Sequence, residues 1–125
     1  MDNLSDKWPQ MATKLVKELA GALAAGGALD IVVLDSQKVV DWTDYLIIAT
    51  FTSERHGFAL LDSCGAILKE QGLTGKLSSA NKQGENDWLL LDAGEVVINL
   101  FNAERRAFYN LEELWANAEK LSLSN

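Results

Sequence analysis

Two unbroken aliphatic runs constrain this chain more than anything else in it: Ile31-Val32-Val33-Leu34, bounded by Asp30 and Asp35, and Tyr45-Leu46-Ile47-Ile48-Ala49-Thr50. A strand with one face in water alternates apolar and polar residues, whereas a run without alternation has both faces covered. The chain must therefore supply apolar cover for a sheet, and its flanking segments carry it. Met11, Leu15, Leu19 and Leu23 recur every four residues with Val16 and Ala20 beside them, which lays an apolar stripe along a first helix. Pro9 fits that helix's first turn, where a missing N–H costs nothing, and Gly26 and Gly27 fit the left-handed conformation that ends it. Thr52 or Ser53 caps a second helix of about 18 residues in which Leu60, Leu61, Cys64, Ile67 and Leu68 share a face and which Gly72 ends. A strand, that helix and an extended segment near Lys76 to Ser78 make a right-handed parallel crossover, and the fold class is α/β.

The polar stretch from Ser79 to Asp87 reads as a loop, and after it Trp88 to Asp92, Ala93-Gly94 and Glu95 to Phe101 read as a hairpin. A two-residue turn pairs Asp92 with Glu95, Leu91 with Val96, Leu90 with Val97, Leu89 with Ile98 and Trp88 with Asn99. One face then carries Leu89, Leu91, Val96, Ile98 and Leu100, which is core. The other carries Trp88, Leu90, Asp92, Glu95, Val97, Asn99 and Phe101. An aromatic anchor with a polar rim is the composition of a protein-binding surface. The competing reading is that a helix covers this face as well and leaves Trp88 half buried. Near the C-terminus Asn110 caps a helix from Leu111 to Leu121, with Glu113 completing a capping box and Leu111, Leu114, Trp115 and Ala118 as its stripe.

Composition excludes several classes of function. With 125 residues, 48% of them hydrophobic, the chain makes a single domain over 1–125; its core runs from about 11 to 119. Eleven Lys and Arg against eighteen Asp and Glu leave a formal charge of −7, the wrong sign for gripping nucleic acid through phosphates. One Cys and one His provide neither an intrachain disulfide nor a structural zinc site, and a lone thiol suits a reducing cytoplasm. The start, Met1 to Asp6, lacks the basic and apolar segments of an export signal. The apolar stretch Leu19 to Leu29 is short of the roughly 20 residues that cross a bilayer.

Candidate chemistries are few. Ser53, His56 and Asp44 have the residue types of a hydrolase triad, but Ser53 stands where a helix cap is wanted and His56 is the sole imidazole. Cys64 and His56 lie about 12 Å apart along one helix, beyond hydrogen-bond reach. Gly26-Gly27 follows a helix and precedes a strand, the reverse of the order in phosphate-binding loops. Asp35, Asp41 and Asp44 are the carboxylates on which a metal-dependent nucleotidyl or phosphoryl transferase would rest, against strand-end turns as the ordinary use of such residues. No cofactor and no metal is expected. Arg55, Arg105 and Arg106 pair in the plain reading with Glu104, Glu112 or Glu113 at the surface.

Asp30 to Asp35, then Thr43-Asp44-Tyr45-Leu46-Ile47-Ile48-Ala49-Thr50 with Ser53, Arg55 and His56, then Trp88 to Asp92, Gly94 to Val97 and Phe101, resemble the Iojap family of ribosomal silencing factors. Arg106, Phe108, Tyr109, Leu111, Glu112, Leu114 and Trp115 continue the resemblance, which spans Lys14 to Ala118 in family order. It implies a small mixed sheet flanked by helices, similar to a nucleotidyltransferase core without that enzyme's signature. It implies a cytoplasmic protein, a homodimer when free, that binds the large ribosomal subunit through ribosomal protein number fourteen and blocks subunit joining, repressing translation in starvation. No bond is made or broken in such a role, so no enzyme is expected. The residues that the resemblance and the hairpin together assign to the partner are Trp88, Leu90, Asp92, Glu95 and Asn99, with Arg55 and His56 near the same edge. The chain departs from the family pattern with Asn99 where His is common, Phe51 where Gly is usual, and Glu95 for Asp. A dimeric scaffold without ribosome contact is the bland alternative.

Overall fold

The computed structural model describes the backbone of residues 4–35, 44–73, 75–79, 88–109 and 119–120, and the side chains of 13–35, 44–73, 75 and 88–106. Helix α1 (Leu4–Ala25) leads into β1 (Leu29–Asp35); β2 (Tyr45–Phe51), α2 (Glu54–Glu70) and β3 (Lys76–Ser79) follow. The chain continues through β4 (Trp88–Asp92), β5 (Val96–Asn102), α3 (Ala103–Tyr109) and β6 (Glu119–Lys120). Among the described residues the strands form one six-stranded sheet in the order β3-β4-β5-β2-β1-β6. β2 and β5 are parallel, and every other neighbouring pair is antiparallel. The α/β class and the small mixed sheet flanked by helices are therefore as expected.

The aliphatic runs lie where their lack of alternation requires. All seven residues of β2 are buried, so this strand has cover on both faces at the middle of the sheet. β1 is buried on both faces only at Val33 and Leu34; Ile31 and Val32 are half buried. Its register against β2 slips by one residue between Leu29 and Val32, at a bulge where Asp30 adopts φ +50°. On the first face of the sheet, Leu15, Val16, Leu19, Ala20 and Leu23 of α1 and Leu60, Leu61, Cys64 and Leu68 of α2 pack on Val33, Tyr45, Ile47, Leu89, Ile98 and Leu100. A second cluster, Leu34, Leu46, Ile48, Val97 and Phe101, occupies the opposite face.

Both long helices end as the glycines foretell. Gly27 at φ +85° and Gly72 at φ +75° close them, with Ala28 N–H donating to the Leu23 carbonyl and Leu73 N–H to that of Leu68. Gly26, in contrast, is kept small by packing, because a Cβ there would lie 2.6 Å from Leu60 Cδ2. Ser53, not Thr52, is the α2 cap, and its hydroxyl accepts from His56 N–H at 3.0 Å. Pro9 is not in the first turn of α1, which starts five residues earlier at Leu4. The crossover from β2 through α2 to β3 joins strands of the same direction, but β5 and β4 lie between them.

Two expectations at the C-terminal end need correction. The helix reading of 111–121 fails at Glu119 and Lys120, which instead pair with Asp35 and Leu34 of β1; 110–118, with the proposed Asn110 cap, lie outside the described residues, as do 80–87 of the expected loop. The helix that the sequence reading missed is α3, capped by Asn102, whose Oδ1 accepts from Arg105 N–H at 2.8 Å.

Candidate functional site

The hairpin forms, with its register two residues from the expected one: Trp88 pairs with Phe101, Leu89 with Leu100, Leu90 with Asn99, Leu91 with Ile98 and Asp92 with Val97. The turn explains the shift. A two-residue type I′ turn needs positive φ at both central residues, and of Ala93 and Gly94 only Gly94, at +87°, has it. The chain builds a wider turn, in which Asp92 Oδ1 accepts from Gly94 N–H at 2.8 Å and Ala93 N–H donates to the Val96 carbonyl at 3.0 Å. Because side chains alternate with a period of two, a slip of two leaves every residue on its expected face.

On the second face the structure brings three of the seven partner-binding candidates together. Trp88 is half buried, and its ring stacks on Phe101 with centroids 4.8 Å apart and planes tilted by 30°. Its indole N–H donates to Asn99 Oδ1 at 3.2 Å, and Leu90, also half buried, lies beside it. Asn99 is 5% exposed and Val97 2%, so this stretch of β5 is not presented to solvent as the mixed face of the hairpin led us to expect. The burial of β5 and the half-buried Trp88 match the degree of cover in the competing reading.

The remaining four candidates lie elsewhere. Asp92 and Glu95 are exposed at the opposite end of the hairpin, where the Glu95 carbonyl accepts from Asp44 and Tyr45 N–H, each at 2.9 Å. From Trp88 to Asp92 the strand travels about 13 Å. Arg55 and His56 open α2, on the layer that covers the first face. Arg55 is exposed, whereas both ring nitrogens of His56 are engaged within the chain: Nδ1 accepts from Thr52 N–H at 2.9 Å and Nε2 donates to the Gly26 carbonyl at 2.8 Å. That ring fastens the end of α1 to the start of α2.

The triad reading fails on distance, because Asp44 precedes the first residue of β2 and Ser53 and His56 follow its last, about 23 Å along the strand. Of the transferase carboxylates, Asp41 lies outside the described residues, and among the described residues no three His, Cys, Asp or Glu side chains gather as metal ligands do. A contact that sequence reasoning missed is Arg106 Nη1 donating to Thr50 Oγ1 at 2.9 Å. It draws α3 onto the second face beside the row Trp88, Phe101, Thr50; Asn102 before Ala-Glu-Arg-Arg was the signal for that helix. Among the described residues no helix is long and apolar enough to cross a membrane.

What the arrangement offers is a surface: an aromatic side chain held against its own sheet, with carboxylates one strand length away. Comparison with known proteins supplies the family. The family model described as "Ribosomal silencing factor during starvation" matches residues 9–125. The chain is 36% identical over 107 residues to the ribosomal silencing factor of Zymomonas mobilis, covering 86% of this chain and 77% of that one. It is 37% identical over 107 residues to the chloroplastic protein Iojap of Zea mays, covering 84% of this chain but 45% of the longer maize protein. A crystal structure of a Chromobacterium violaceum protein superimposes with a TM-score of 0.72 at 30% identity, covering 90% of this chain and 92% of that one. With the family pattern matched from residue 9 to the end and the same fold in a solved relative, the chain belongs to the ribosomal silencing factor (Iojap) family.

Proposed function

We propose that this protein, as a single domain over 1–125 with its core from about 11 to 119, docks on the large ribosomal subunit in the cytoplasm and represses translation in starvation by occupying the surface the small subunit needs. Its partner is ribosomal protein number fourteen, a basic island in the ribosomal RNA, and the free protein is a homodimer. The mechanism is occupancy, with no bond made or broken, no metal and no cofactor. The observation that carries this reading is the Trp88-Leu90-Asp92 stripe of β4: a half-buried aromatic anchor, an aliphatic neighbour and a terminal carboxylate on one face of one strand. Trp is among the commonest hot-spot side chains of interfaces, and such an anchor acts best when its rotamer is set before the partner arrives. Glu95 and Asp44 add negative charge at the Asp92 end, whereas Arg55 and His56, which open α2 on the layer over the first face, are left out of the proposed surface.

Sedimentation with separated ribosomal subunits tests the proposal. The wild-type chain is expected to travel with the large subunit and to lower the yield of joined ribosomes in light scattering. Trp88→Ala should weaken binding by about 2 kcal/mol, close to thirty-fold. Its fold is checked by circular dichroism, since the ring also packs on Phe101. Wild-type affinity in a folded Trp88→Ala protein would remove β4 from the docking surface.

A further inference from the structure

We infer that Asn99 is a positioning residue, one that contacts no partner but fixes the orientation in which Trp88 meets it. This rests on the docking role proposed for Trp88. Leu90 pairs with Asn99 and Trp88 with Phe101, so Trp88 and Asn99 are diagonal neighbours on one face. That diagonal is within reach of an aromatic side chain, and the indole edge spans it to place Nε1 3.2 Å from Asn99 Oδ1. Asn99 is 5% exposed in a strand whose neighbours on that face, Val97 and Phe101, are 2% and 0% exposed. A polar amide in such surroundings is costly unless its oxygen is used, and the indole N–H uses it.

The ring is thereby held at two points: the N–H by Asn99 and the face by Phe101 at 4.8 Å. An indole with its N–H already bonded inward has no donor directed at a partner, so what it presents outward is aromatic surface in a preset rotamer. The partner side chains this fits are apolar or cationic ones that lie flat on a ring face, not carbonyl acceptors seeking the N–H. Presetting the rotamer removes ordering entropy from the binding step.

The test combines Asn99→Leu, Asn99→His, Trp88→Ala and the Asn99→Leu/Trp88→Ala double variant, each titrated against purified large ribosomal subunits. The Trp88 indole N–H proton is also followed by NMR, assigned by its loss in Trp88→Phe. Asn99→Leu should bind about five- to ten-fold more weakly, the loss of one ordering hydrogen bond. Asn99→His retains a ring nitrogen as acceptor and should recover most of that loss. The double variant should bind no more weakly than Trp88→Ala alone, because Asn99 acts only through the indole. In the wild-type protein the Trp88 N–H should exchange with solvent more slowly than a free indole; free-indole exchange overturns the inference even if Asn99→Leu does not fold. Wild-type binding by folded Asn99→Leu alongside weak binding by Trp88→Ala overturns the positioning role and leaves the docking reading standing. Wild-type binding by Trp88→Ala overturns both.

Discussion

Cys64 is fully buried in the apolar stripe of α2, and burial pushes its thiol up from the ordinary 9.0 to about 12. At neutral pH it is an inert core residue, not a nucleophile. The consequence for stability has a definite sign. Above pH 9 the unfolded chain loses the thiol proton while the native chain keeps it, so the unfolded state gains and stability falls. The contribution is fully present below pH 9 and is lost at about 1.4 kcal/mol per pH unit as pH rises toward 12. Denaturant unfolding at pH 8 and pH 10.5 should show this fall in the wild type and a shallower one in Cys64→Ala; parallel slopes in the two proteins would refute it. The other scarce side chain, His56, is equally structural, with both ring nitrogens spent on Thr52 and Gly26. Asn99 is the buried polar side chain of β5, and its Oδ1 is used by the Trp88 indole N–H.

Among the elements, those that periodicity defines were legible and those that tertiary pairing defines were not. The stripes of α1 and α2 and the unalternating run of β2 appear in the structure as read, because burial alone selects them. Hairpin register was misjudged because it depends on the φ of Ala93, which side-chain patterning does not encode. The two-residue β6 has too little sequence to announce itself, and it exists because β1 offers an edge at Leu34 and Asp35. The candidate site was half legible: alternation put Trp88, Leu90 and Asn99 on one face, but only packing tells a buried Asn99 from an exposed Asp92. Close packing gives α2 an asymmetric tolerance that a pair of substitutions exposes. At Gly57 a Cβ meets Leu89 Cδ1 at 2.9 Å and the Phe51 ring at 3.1 Å, whereas at Gly65 nothing lies within 4 Å. Gly57→Ala is expected to destabilise by about 1–3 kcal/mol through overpacking. Gly65→Ala should stabilise by about 0.5–1 kcal/mol through helix propensity. Thermal melts of the two variants check this, and equal shifts would contradict the packing shown for α2.

For the whole molecule, a charge of −7 and a ribosomal target are reconciled by where the charge lies. Net negative charge repels the chain from phosphate everywhere, and in the proposed docking the exposed carboxylates at one end of the hairpin would attract a basic protein surface locally, so that the two effects together restrict where the factor can land. Rim charges of this kind govern association rate and its salt dependence, while a buried anchor governs dissociation. The two contributions can be separated by substituting Asp92→Asn with Glu95→Gln, which moves the net charge from −7 to −5. Asp92→Asn keeps the Oδ1 acceptor that Gly94 N–H requires, so the turn is preserved while its charge is removed. Stopped-flow association with large subunits should slow about two- to five-fold at low ionic strength, with the difference closing as salt is raised past the point where the Debye length falls below about 8 Å. Dissociation should be unchanged. Trp88→Ala should do the reverse, raising the dissociation rate at every salt concentration with little effect on association. Should the neutralised variant associate as fast as the wild type in low salt, the acidic end of the hairpin has no part in steering, and the negative charge serves only to keep the chain off bare RNA.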